Sequence, residues 1–352
     1  MVSIGFIGGG IIAWAHAIGL QSMIQAGVVD ATLTAVYDAD ERRASAFAEM
    51  NGASVVTSAS AVAQRCDVVW VCTPTAAHRV GVEAAVDAGR AVFCEKPLAP
   101  DLAAAESLAA FVAERGVPAQ VGLVLRAAPV FRALRDLVAS GELGRPMTAV
   151  FRDDQYLPVQ GLYSSTWRAD VAVAGGGCLI EHSIHDLDIL RFCLGEVVEV
   201  AARTSYFSGH EGIEDVAAVS LVFESGATGS LTSVWHDILS RPSTRRVEVF
   251  CERGLAWLDN DFQGPLYVQT TDDIETRACR SPAWVEELPL ARDDVGLAIR
   301  SYADADRAFL DAVAQGRPCD PGFDEALVAH RLVDAAYRSA AAGGVPVATI
   351  PS

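Results

Sequence analysis

The chain has 352 residues, 51% of them hydrophobic, which is enough material for about two domains with their own cores. A net charge of −18 and a pI of about 4.7 argue against nucleic-acid or anionic-membrane partners, because both need basic surfaces. No apolar run approaches the roughly 18 residues of a membrane span, no basic leader opens the chain, and the cysteines lack CxxC spacing, so a cytoplasmic protein with free thiols is expected.

The first third of the chain alternates strands with helices. Val2–Ile7 is an apolar strand candidate, followed by three glycines and a predicted helix over 11–26. Further strands are predicted at 32–37, 55–56, 67–72, 90–94 and 119–124, and further helices at 41–50, 59–65, 76–88 and 102–115. Such alternation is typical of parallel sheets, whose strands are joined by helical crossovers. Residues 1–124 are therefore predicted to form an α/β Rossmann domain with a doubly wound parallel sheet.

The glycines after the first strand match a dinucleotide-binding pattern. Gly8, Gly10 and Ala13 satisfy G-x-G-x-x-G/A between a strand and a helix. Small residues there let the chain turn tightly and bring backbone N–H groups to a pyrophosphate at the helix N-terminus. Ile11 and Ile12, the first residues of that helix, are included among the predicted cofactor contacts.

Asp38 bears on the choice of cofactor. It ends the second predicted strand, where a carboxylate can accept from an adenosine ribose hydroxyl and would repel a 2′-phosphate, so NAD is favoured. Arg42 and Arg43 follow closely and could bind that phosphate, which keeps NADP possible. The alternative for Asp38 and Asp40 is a turn and a helix cap.

After Arg126 the pattern changes. A helix at 129–140, an extended segment at 147–156, a loop at 157–177 and a helix at 179–194 precede a run of short strands. Hairpins are predicted from 216–223 with 228–235 and from 245–251 with 256–258, and the last helices at 302–315 and 324–341. Residues 125–352 are predicted to form an α+β domain with a large, mostly antiparallel sheet; its terminal helices could pack back on the first domain.

The single lysine of the chain indicates chemistry. The 27 basic side chains comprise 26 arginines and Lys96 alone. Arg stays charged at any working pH, whereas a buried Lys can lose its proton and act as an acid or base. Lys96 follows the apolar run 91–94 and precedes Pro97, which predicts a place at the carboxyl edge of the sheet, where ligands bind. Compositional accident is the alternative.

Two further stretches could meet this lysine. The loop 73–78 follows a strand end and could flank a bound nicotinamide. Glu181 and His185 are four residues apart in the predicted helix 179–194 and would share one face of it. A lysine and a histidine beside a nicotinamide supply the proton acceptor that alcohol oxidation requires.

These side chains also have structural alternatives. Lone histidines are more often hydrogen-bonded structural residues, and a glutamate at helical spacing is often solvated. Glu181, His182 and His185 could bind a metal, but the set lacks HExxH order and a cysteine partner. No metal is therefore predicted.

Six stretches in fixed order resemble one family. GFIGGG, CTPTAAH, CEKP, SGELGRP, TWRAD and GGGCLIEHSIHDLD are similar to the glucose-fructose oxidoreductase / inositol dehydrogenase / MocA family, over nearly the whole chain. The resemblance implies an N-terminal Rossmann domain and a C-terminal α/β domain on a mostly antiparallel sheet. It also implies NAD(P)-dependent oxidation or reduction of sugars and cyclitols, in a homodimer or homotetramer assembled through the open face of that sheet.

The resemblance assigns roles residue by residue. Lys96 matches the catalytic lysine of EKP, and His185 matches the histidine of a D-x-x-x-H motif in which Glu181 replaces the usual Asp. The implied cofactor contacts are Gly8, Gly10, Asp38, Thr73, Pro74, His78, Glu95 and Lys96, to which we add Arg43. The predicted substrate-binding set is Lys96, Arg126, Glu181, His182, His185 and the pair Trp167 and Arg168. The longer Glu181, and Ser183 where Gly is usual, leave the particular polyol open.

The predicted function is therefore that of an NAD(P)-dependent dehydrogenase or reductase acting on a sugar or cyclitol. Lys96 and His185 are predicted to share the proton transfer, with Glu181 orienting the substrate or the imidazole. Two alternatives stay open: a glycosidase that oxidises its sugar transiently with tightly held NAD, and a sensor that binds NAD without turnover.

Overall fold

The computed structural model describes residues 1–349, which form two compact units. The first unit comprises Met1–Val124 and Pro282–Leu327, and the second comprises Leu125–Ser281 and the residues from Val328 onward. The chain therefore leaves the first unit after its last parallel strand and returns to it for one helical segment.

The first unit is built on a six-stranded parallel sheet. Its strands are β1 (Val2–Ile7), β2 (Ala31–Tyr37), β3 (Ser54–Val55), β4 (Val68–Val71), β5 (Ala91–Cys94) and β6 (Ala119–Val121), in the order β3-β2-β1-β4-β5-β6. The connecting helices are α1 (Ile11–Gln25), α2 (Glu41–Asn51), α3 (Ala59–Arg65), α4 (His78–Asp87) and α5 (Leu102–Arg115). The strand order reverses between β1 and β4, so ligands are expected at the carboxyl ends of these strands. The predicted doubly wound Rossmann sheet is confirmed.

Local chemistry explains these elements. All four residues of β4 and all four of β5 are buried, as expected for strands with helices on both faces. Helices α3 and α5 begin where Ser58 and Asp101 accept hydrogen bonds from backbone N–H groups three residues later. Helix α5 then ends at Gly116, which adopts the left-handed conformation.

The second unit is built on a nine-stranded sheet. Its strands are β7 (Pro146–Tyr156), β8 (Val197–Ser205), β9 (Val216–Phe223), β10 (Thr228–His236), β11 (Thr244–Cys251), β12 (Gly254–Leu258), β13 (Pro265–Gln269), β14 (Ile274–Ala278) and β15 (Val347–Ala348), in the order β14-β13-β12-β11-β7-β10-β9-β8-β15. The β7–β10 pair is parallel and the other pairs are antiparallel. The α+β prediction and both predicted hairpins are confirmed.

Helices precede and follow the strands of the second unit. They are α6 (Pro129–Ser140), α7 (Val171–Ala174), α8 (Cys178–Glu181) and α9 (Ile184–Leu194), with a 3-10 turn at Thr166–Ala169. Alternate strand residues such as Ala149 and Phe151 join one core with buried side chains of α6 and α9. The loop predicted at 157–177 is therefore wrong in part, because short helical turns interrupt it.

The prediction of one helix over 179–194 is wrong. The chain leaves helical geometry at His182 (φ −120°, ψ −59°) and Ser183 (φ −80°, ψ 2°), which separate α8 from α9. The Ser183 hydroxyl donates to Ser233 Oγ at 2.6 Å, and His182 Nε2 lies 3.0 Å from Asp153 Oδ2. These partners lie on sheet strands, so tertiary hydrogen bonds replace the continuing helix.

The last helices are α10 (Ala283–Glu286), α11 (Asp294–Gln315) and α12 (Phe323–Ala341). Helix α11 packs on α1 in the first unit. It begins eight residues before the predicted start at Tyr302, because Asp293 caps it by accepting from the Gly296 N–H at 2.8 Å. Because Gly296 is a weak helix former, the sequence pattern did not indicate this start.

Candidate active site

The turn between β1 and α1 forms a cradle for an anionic group. Gly8 has φ +98°, and a Cβ on it would lie 2.6 Å from the carbonyl carbon and oxygen of Cys72, so another residue does not fit. A Cβ on Gly10 would meet nothing within 4 Å, which shows open space at the start of α1. Backbone N–H groups at a helix N-terminus with room in front of them suit a pyrophosphate. Ile11 lies exposed beside this space and Ile12 is half-buried.

Asp38 lies at the end of β2 against this glycine turn. Its Oδ2 accepts from the Gly9 N–H at 2.8 Å, and its Oδ1 accepts from the Asp40 N–H at 2.8 Å. Asp40 caps α2 by accepting from the Arg42 N–H at 2.9 Å, and Arg43 lies 3.4 Å from Asp40 in an exposed pair. Both parts of the structural alternative are therefore present, since Asp38 forms a turn with the Asp40 N–H and Asp40 caps α2. Asp38 also contacts the glycine turn, and its role at a ribose stays a prediction.

Two loops follow β4 and β5, and His78 joins them. His78 is buried, and its Nδ1 and Nε2 lie 2.9 Å from the backbone oxygens of Pro97 and Thr73, respectively. The loop that carries Thr73 and Pro74 is thereby tied to the loop that carries Lys96. Lys96 is the second residue after β5 and is half-buried, between the buried residues Glu95 and Pro97.

The predicted catalytic residues are divided between the units. Lys96 belongs to the first unit, and Glu181 and His185 belong to the second. Glu181 ends α8 and His185 lies in the first turn of α9, so the prediction that they share one helical face is wrong. The interruption of helical geometry at His182 and Ser183, rather than an i,i+4 spacing, sets the relative directions of the Glu181 and His185 side chains.

Glu181 is held by the predicted substrate-binding arginine. Arg168 Nε donates to Glu181 Oε2 at 3.0 Å, and the Arg168 guanidinium lies 4.3 Å from the centroid of the Trp167 ring. Both Glu181 and His185 are buried. The structure therefore brings Trp167, Arg168 and Glu181 together, and their substrate-binding role stays a prediction.

Arg126 forms a second paired charge. Its Nε and Nη2 donate to the two carboxylate oxygens of Asp188 at 2.8 and 2.5 Å. Bidentate pairs of this kind hold a guanidinium plane in one orientation. Asp188 thus holds the guanidinium of Arg126 in one orientation.

Glu214 was missed by the sequence reasoning, although it holds the start of α8. Its carboxylate accepts from the N–H groups of Gly177 and Leu179 at 2.8 and 2.9 Å, and from the Tyr337 hydroxyl at 2.8 Å. A Cβ on Gly177 would lie 1.9 Å from the Glu214 backbone oxygen, which explains part of the GGG run. That glycine run was the only signal in the sequence, because Glu214 lies 37 residues from Gly177 along the chain.

Arg245 was also missed, and it lies at the centre of a buried charge cluster beneath the break between α8 and α9. Its Nε donates to Asp186 at 2.7 Å, its Nη1 to Asp261 at 3.1 Å, and its Nη2 lies 2.9 Å from His182 Nε2. Asp153 lies 3.5 Å from the same guanidinium. Burial raises the pKa of Asp186 to about 7, against the opposing effect of Arg245. Two charged networks therefore support the segment that carries Glu181 and His185.

Within residues 1–349 no group of three or more His, Cys, Asp or Glu side chains is arranged to hold a metal ion. No helix in that range combines the length and apolarity that a membrane crossing needs. The eight cysteines are unpaired thiols.

The glycine cradle, the carboxylate after β2 and the reversal of strand order define a protein of the dinucleotide-binding class. Residues 2–123 match the NAD-binding Rossmann-fold model of an oxidoreductase family, and residues 131–256 match the C-terminal domain model of the same GFO/IDH/MocA family. The chain belongs to the GFO/IDH/MocA family.

Relatives of known activity are similar over nearly their whole length. A 1,5-anhydro-D-fructose reductase of Ensifer adhaerens is 32% identical over 331 residues, 91% of each chain. An inositol 2-dehydrogenase of Rhizobium meliloti (strain 1021) is 31% identical over 353 residues, 97% of each chain. A levoglucosan dehydrogenase solved with NADH and levoglucosan has the same fold, with a TM-score of 0.87, 21% identity and coverage of 99% of this chain and 100% of that one.

These findings confirm several predictions. The family, the two kinds of sheet, NAD as cofactor and the class of oxidoreductases acting on CH–OH groups are all as predicted. Neither the transient-oxidation glycosidase nor the NAD-binding sensor is favoured by the relatives. The roles of individual residues stay predictions.

Proposed function

We propose that the protein transfers hydride between NAD and a hydroxyl or carbonyl carbon of a cyclic sugar or cyclitol, with Lys96 and His185 sharing the proton transfer. The observation that supports this proposal most directly is the location of Lys96. The only lysine of the chain follows β5 at the carboxyl edge of the dinucleotide-type sheet, half-buried and tied to the neighbouring loop through His78.

The residues divide the chemistry as follows. NAD, when bound at Gly8, Gly10 and Asp38, supplies the hydride acceptor or donor. In the oxidation, the neutral amine of Lys96 takes the proton of the reacting hydroxyl, and in the reduction the ammonium returns it. His185 carries that proton onward or stabilises its transfer, and Glu181, held by Arg168, orients the substrate hydroxyls.

The polar residues of the second unit support a polyhydroxylated substrate. Arg168 with Glu181 and Arg126 with Asp188 form fixed charge pairs that can donate to and accept from hydroxyl groups. Trp167 provides an aromatic surface for the C–H face of a ring. The activities of the relatives, on anhydrofructose and inositol, agree with this substrate class.

The proposal is tested by a turnover screen. NAD and NADP are incubated with inositols, aldoses, amino sugars, anhydro sugars and their keto forms, and NADH absorbance is followed. We expect net NADH formation, or consumption with the keto forms, for at least one cyclic polyol. Cleaved glycosides without net NADH would instead support transient oxidation, and NADH binding without turnover across the panel would support the sensor.

Replacing Asp38 by Ser is expected to weaken discrimination between the two cofactors. The substitution removes the carboxylate that accepts from a ribose hydroxyl and repels a 2′-phosphate. A hydrogen bond to a charged group contributes about 1.5–3 kcal/mol, so the ratio of kcat/KM for NAD to that for NADP should fall about tenfold or more. Asp30→Ser, at the opposite and exposed end of β2, is the control. An unchanged ratio in D38S would contradict the assignment of Asp38.

We also propose a homodimer or homotetramer assembled on the outer face of the nine-stranded sheet. Val150 and Phe250 on neighbouring strands are 41% and 37% exposed, and Trp257 stacks on Tyr267 with ring centroids 5.0 Å apart. Apolar groups on an open face favour burial against a second copy. Phe250→Glu should convert the oligomer to monomers in analytical ultracentrifugation, whereas Glu248→Gln on the same strand should not. A monomeric parent protein would refute the proposal.

A cytoplasmic location is proposed on the state of the cysteines. Six of the eight thiols are buried and none is paired, as in a reducing compartment.

A further inference from the structure

We propose that the buried pair of His16 and Asp306 positions Lys96 by fixing the side chain of Glu95, the residue before it. The inference rests on the catalytic role proposed for Lys96, and it adds α1 and α11 to the elements that determine the geometry of that role.

The pair is a charged clamp on Glu95. His16 lies on α1 and is fully buried; its Nδ1 donates to Asp306 Oδ1 at 2.6 Å and its Nε2 donates to Glu95 Oε1 at 3.0 Å. A carboxylate only accepts, so donation at both ring nitrogens requires the imidazolium form. Burial alone lowers the pKa of His16, but the carboxylates of Asp306 and Glu95 outweigh it and raise this pKa to about 10. The clamp is therefore charged at neutral pH.

The surroundings give the clamp one geometry. The His16 ring meets Phe93 and Tyr302 edge-on, with centroids 4.9 and 5.1 Å away. The Trp70 indole N–H donates to the same Asp306 oxygen at 3.0 Å. Charge-assisted hydrogen bonds in such an apolar enclosure are strong and directional. Asp306 Oδ1 is thus bonded both to His16 on α1 and to Trp70 on β4.

Glu95 is held from three sides. Its N–H donates to the Val71 carbonyl at 3.0 Å, and its side chain is bonded to His16. A Cβ on Gly122 would lie 2.3 Å from Glu95 Oε1, so the carboxylate fills the space beside that glycine. The position of Glu95 is therefore determined by α1, β4 and the end of β6 together.

Lys96 stands between two residues that buried histidines hold. Glu95 is bonded to His16 on one side, and the Pro97 carbonyl oxygen lies 2.9 Å from His78 Nδ1 on the other. The lysine backbone is thus restrained at both neighbours. Because a misplacement of about 1 Å can cost about 100-fold in rate, this restraint bears directly on proton transfer.

A purely structural role is the competing explanation, and stability alone does not account for the arrangement. Apolar groups of similar volume often stabilise a core as well as a buried ion pair does. The network instead fixes direction, since each of its hydrogen bonds ends on a defined oxygen. A test must therefore use a readout that loss of stability would not move.

A double-mutant cycle provides a readout that is independent of a loss of stability. His16→Gln, Glu95→Gln and the double variant are compared for kcat and KM at saturating NAD, on the substrate found by the turnover screen, with NADH affinity measured by fluorescence. We expect each single substitution to lower kcat about 10- to 100-fold. NADH affinity should change less than about threefold in His16→Gln, because His16 is not among the predicted cofactor contacts. The double variant should be no worse than the worse single variant, because both substitutions break the same clamp.

His330→Gln is the matched control, because His330 is another buried histidine but lies on α12 in the second unit. It is expected to lower the melting temperature, while its effect on kcat combines multiplicatively with that of Glu95→Gln. Multiplicative effects of His16→Gln and Glu95→Gln, or a wild-type kcat in His16→Gln, would overturn the inference.

Two further variants keep the test decisive. If His16→Gln does not fold, the isosteric Asp306→Asn should still fold and lower kcat about tenfold, and a wild-type kcat there would overturn the inference. Lys96→Met separates the two levels. An inactive Lys96→Met with a wild-type-like His16→Gln refutes only the positioning role, whereas an active Lys96→Met refutes the proposed function itself.

Discussion

Replacing Lys96 by Met is expected to lower kcat about 100- to 10,000-fold while NADH still binds, because positioned proton transfer contributes about that much. Met has nearly the length of Lys but carries no proton, so it preserves packing at the half-buried position after β5. The measurements are steady-state turnover on the substrate found by the screen and a fluorescence titration with NADH. The loss should appear in kcat rather than in NADH affinity.

Lys96→Arg separates charge from proton transfer. Arg keeps the positive charge but does not give up its proton at neutral pH, so it should be nearly as inactive as the Met variant. Arg90→Met, just before the opposite end of β5, is the control and should retain activity. Near-normal turnover in both Lys96 variants would end the assignment.

The composition of the chain allows a direct measurement on the same residue. Because Lys96 is the only lysine, an amine-directed reagent can label only its side chain and the N-terminus. Peptide mass spectrometry then reports the labelling of Lys96 alone, as a function of pH and with or without NADH. Slower labelling when NADH is bound is expected for an amine beside the cofactor site.

Replacing Arg245 by Met should have the largest effect on stability. Arg245 is 3% exposed and bonded to Asp186 and Asp261, with Asp153 at 3.5 Å. Removing one partner of a buried ion pair costs about 3–5 kcal/mol, because the remaining charges stay buried without compensation. Urea unfolding at neutral pH should show this loss in the free energy of unfolding.

The neighbouring Arg246 offers a matched control. It is 44% exposed and pairs with Glu248 and Asp259 on the surface, so Arg246→Met should cost less than about 1 kcal/mol. Equal losses in the free energy of unfolding for the two substitutions would show that the buried cluster contributes no more to stability than the surface pairs of Arg246.

The deficit of Arg245→Met should also depend on pH. Burial raises the pKa of Asp186 from 3.8 to about 7, so the folded state binds a proton more tightly than the unfolded state does. Such a group stabilises the fold fully below its unfolded pKa, and that contribution is lost as the pH rises through the folded pKa. Without Arg245 the carboxylates are harder to ionise still. The deficit is therefore expected to be smaller at pH 5 than at pH 8.

Several features of this protein were determined by the sequence alone. Five elements have the predicted bounds: Val2–Ile7, Ala59–Arg65, Leu102–Arg115, Pro129–Ser140 and Val216–Phe223. Their signals are local: apolar periodicity, a capping Ser58 or Asp101, and a glycine at the helix end. The glycine turn, Asp38 and the solitary Lys96 were visible for the same reason, since each lies at a strand end that the pattern predicts.

Only the tertiary structure decided how the site residues are held. The break between α8 and α9 depends on Asp153 and Ser233, which lie on strands far from His182 in the chain. His16 meets Asp306 across 290 residues, and Arg245 meets Asp186 across 59. Periodicity and capping report only neighbours within a few residues. A buried charge finds its partner through the folded topology, so these networks leave no local trace in the sequence.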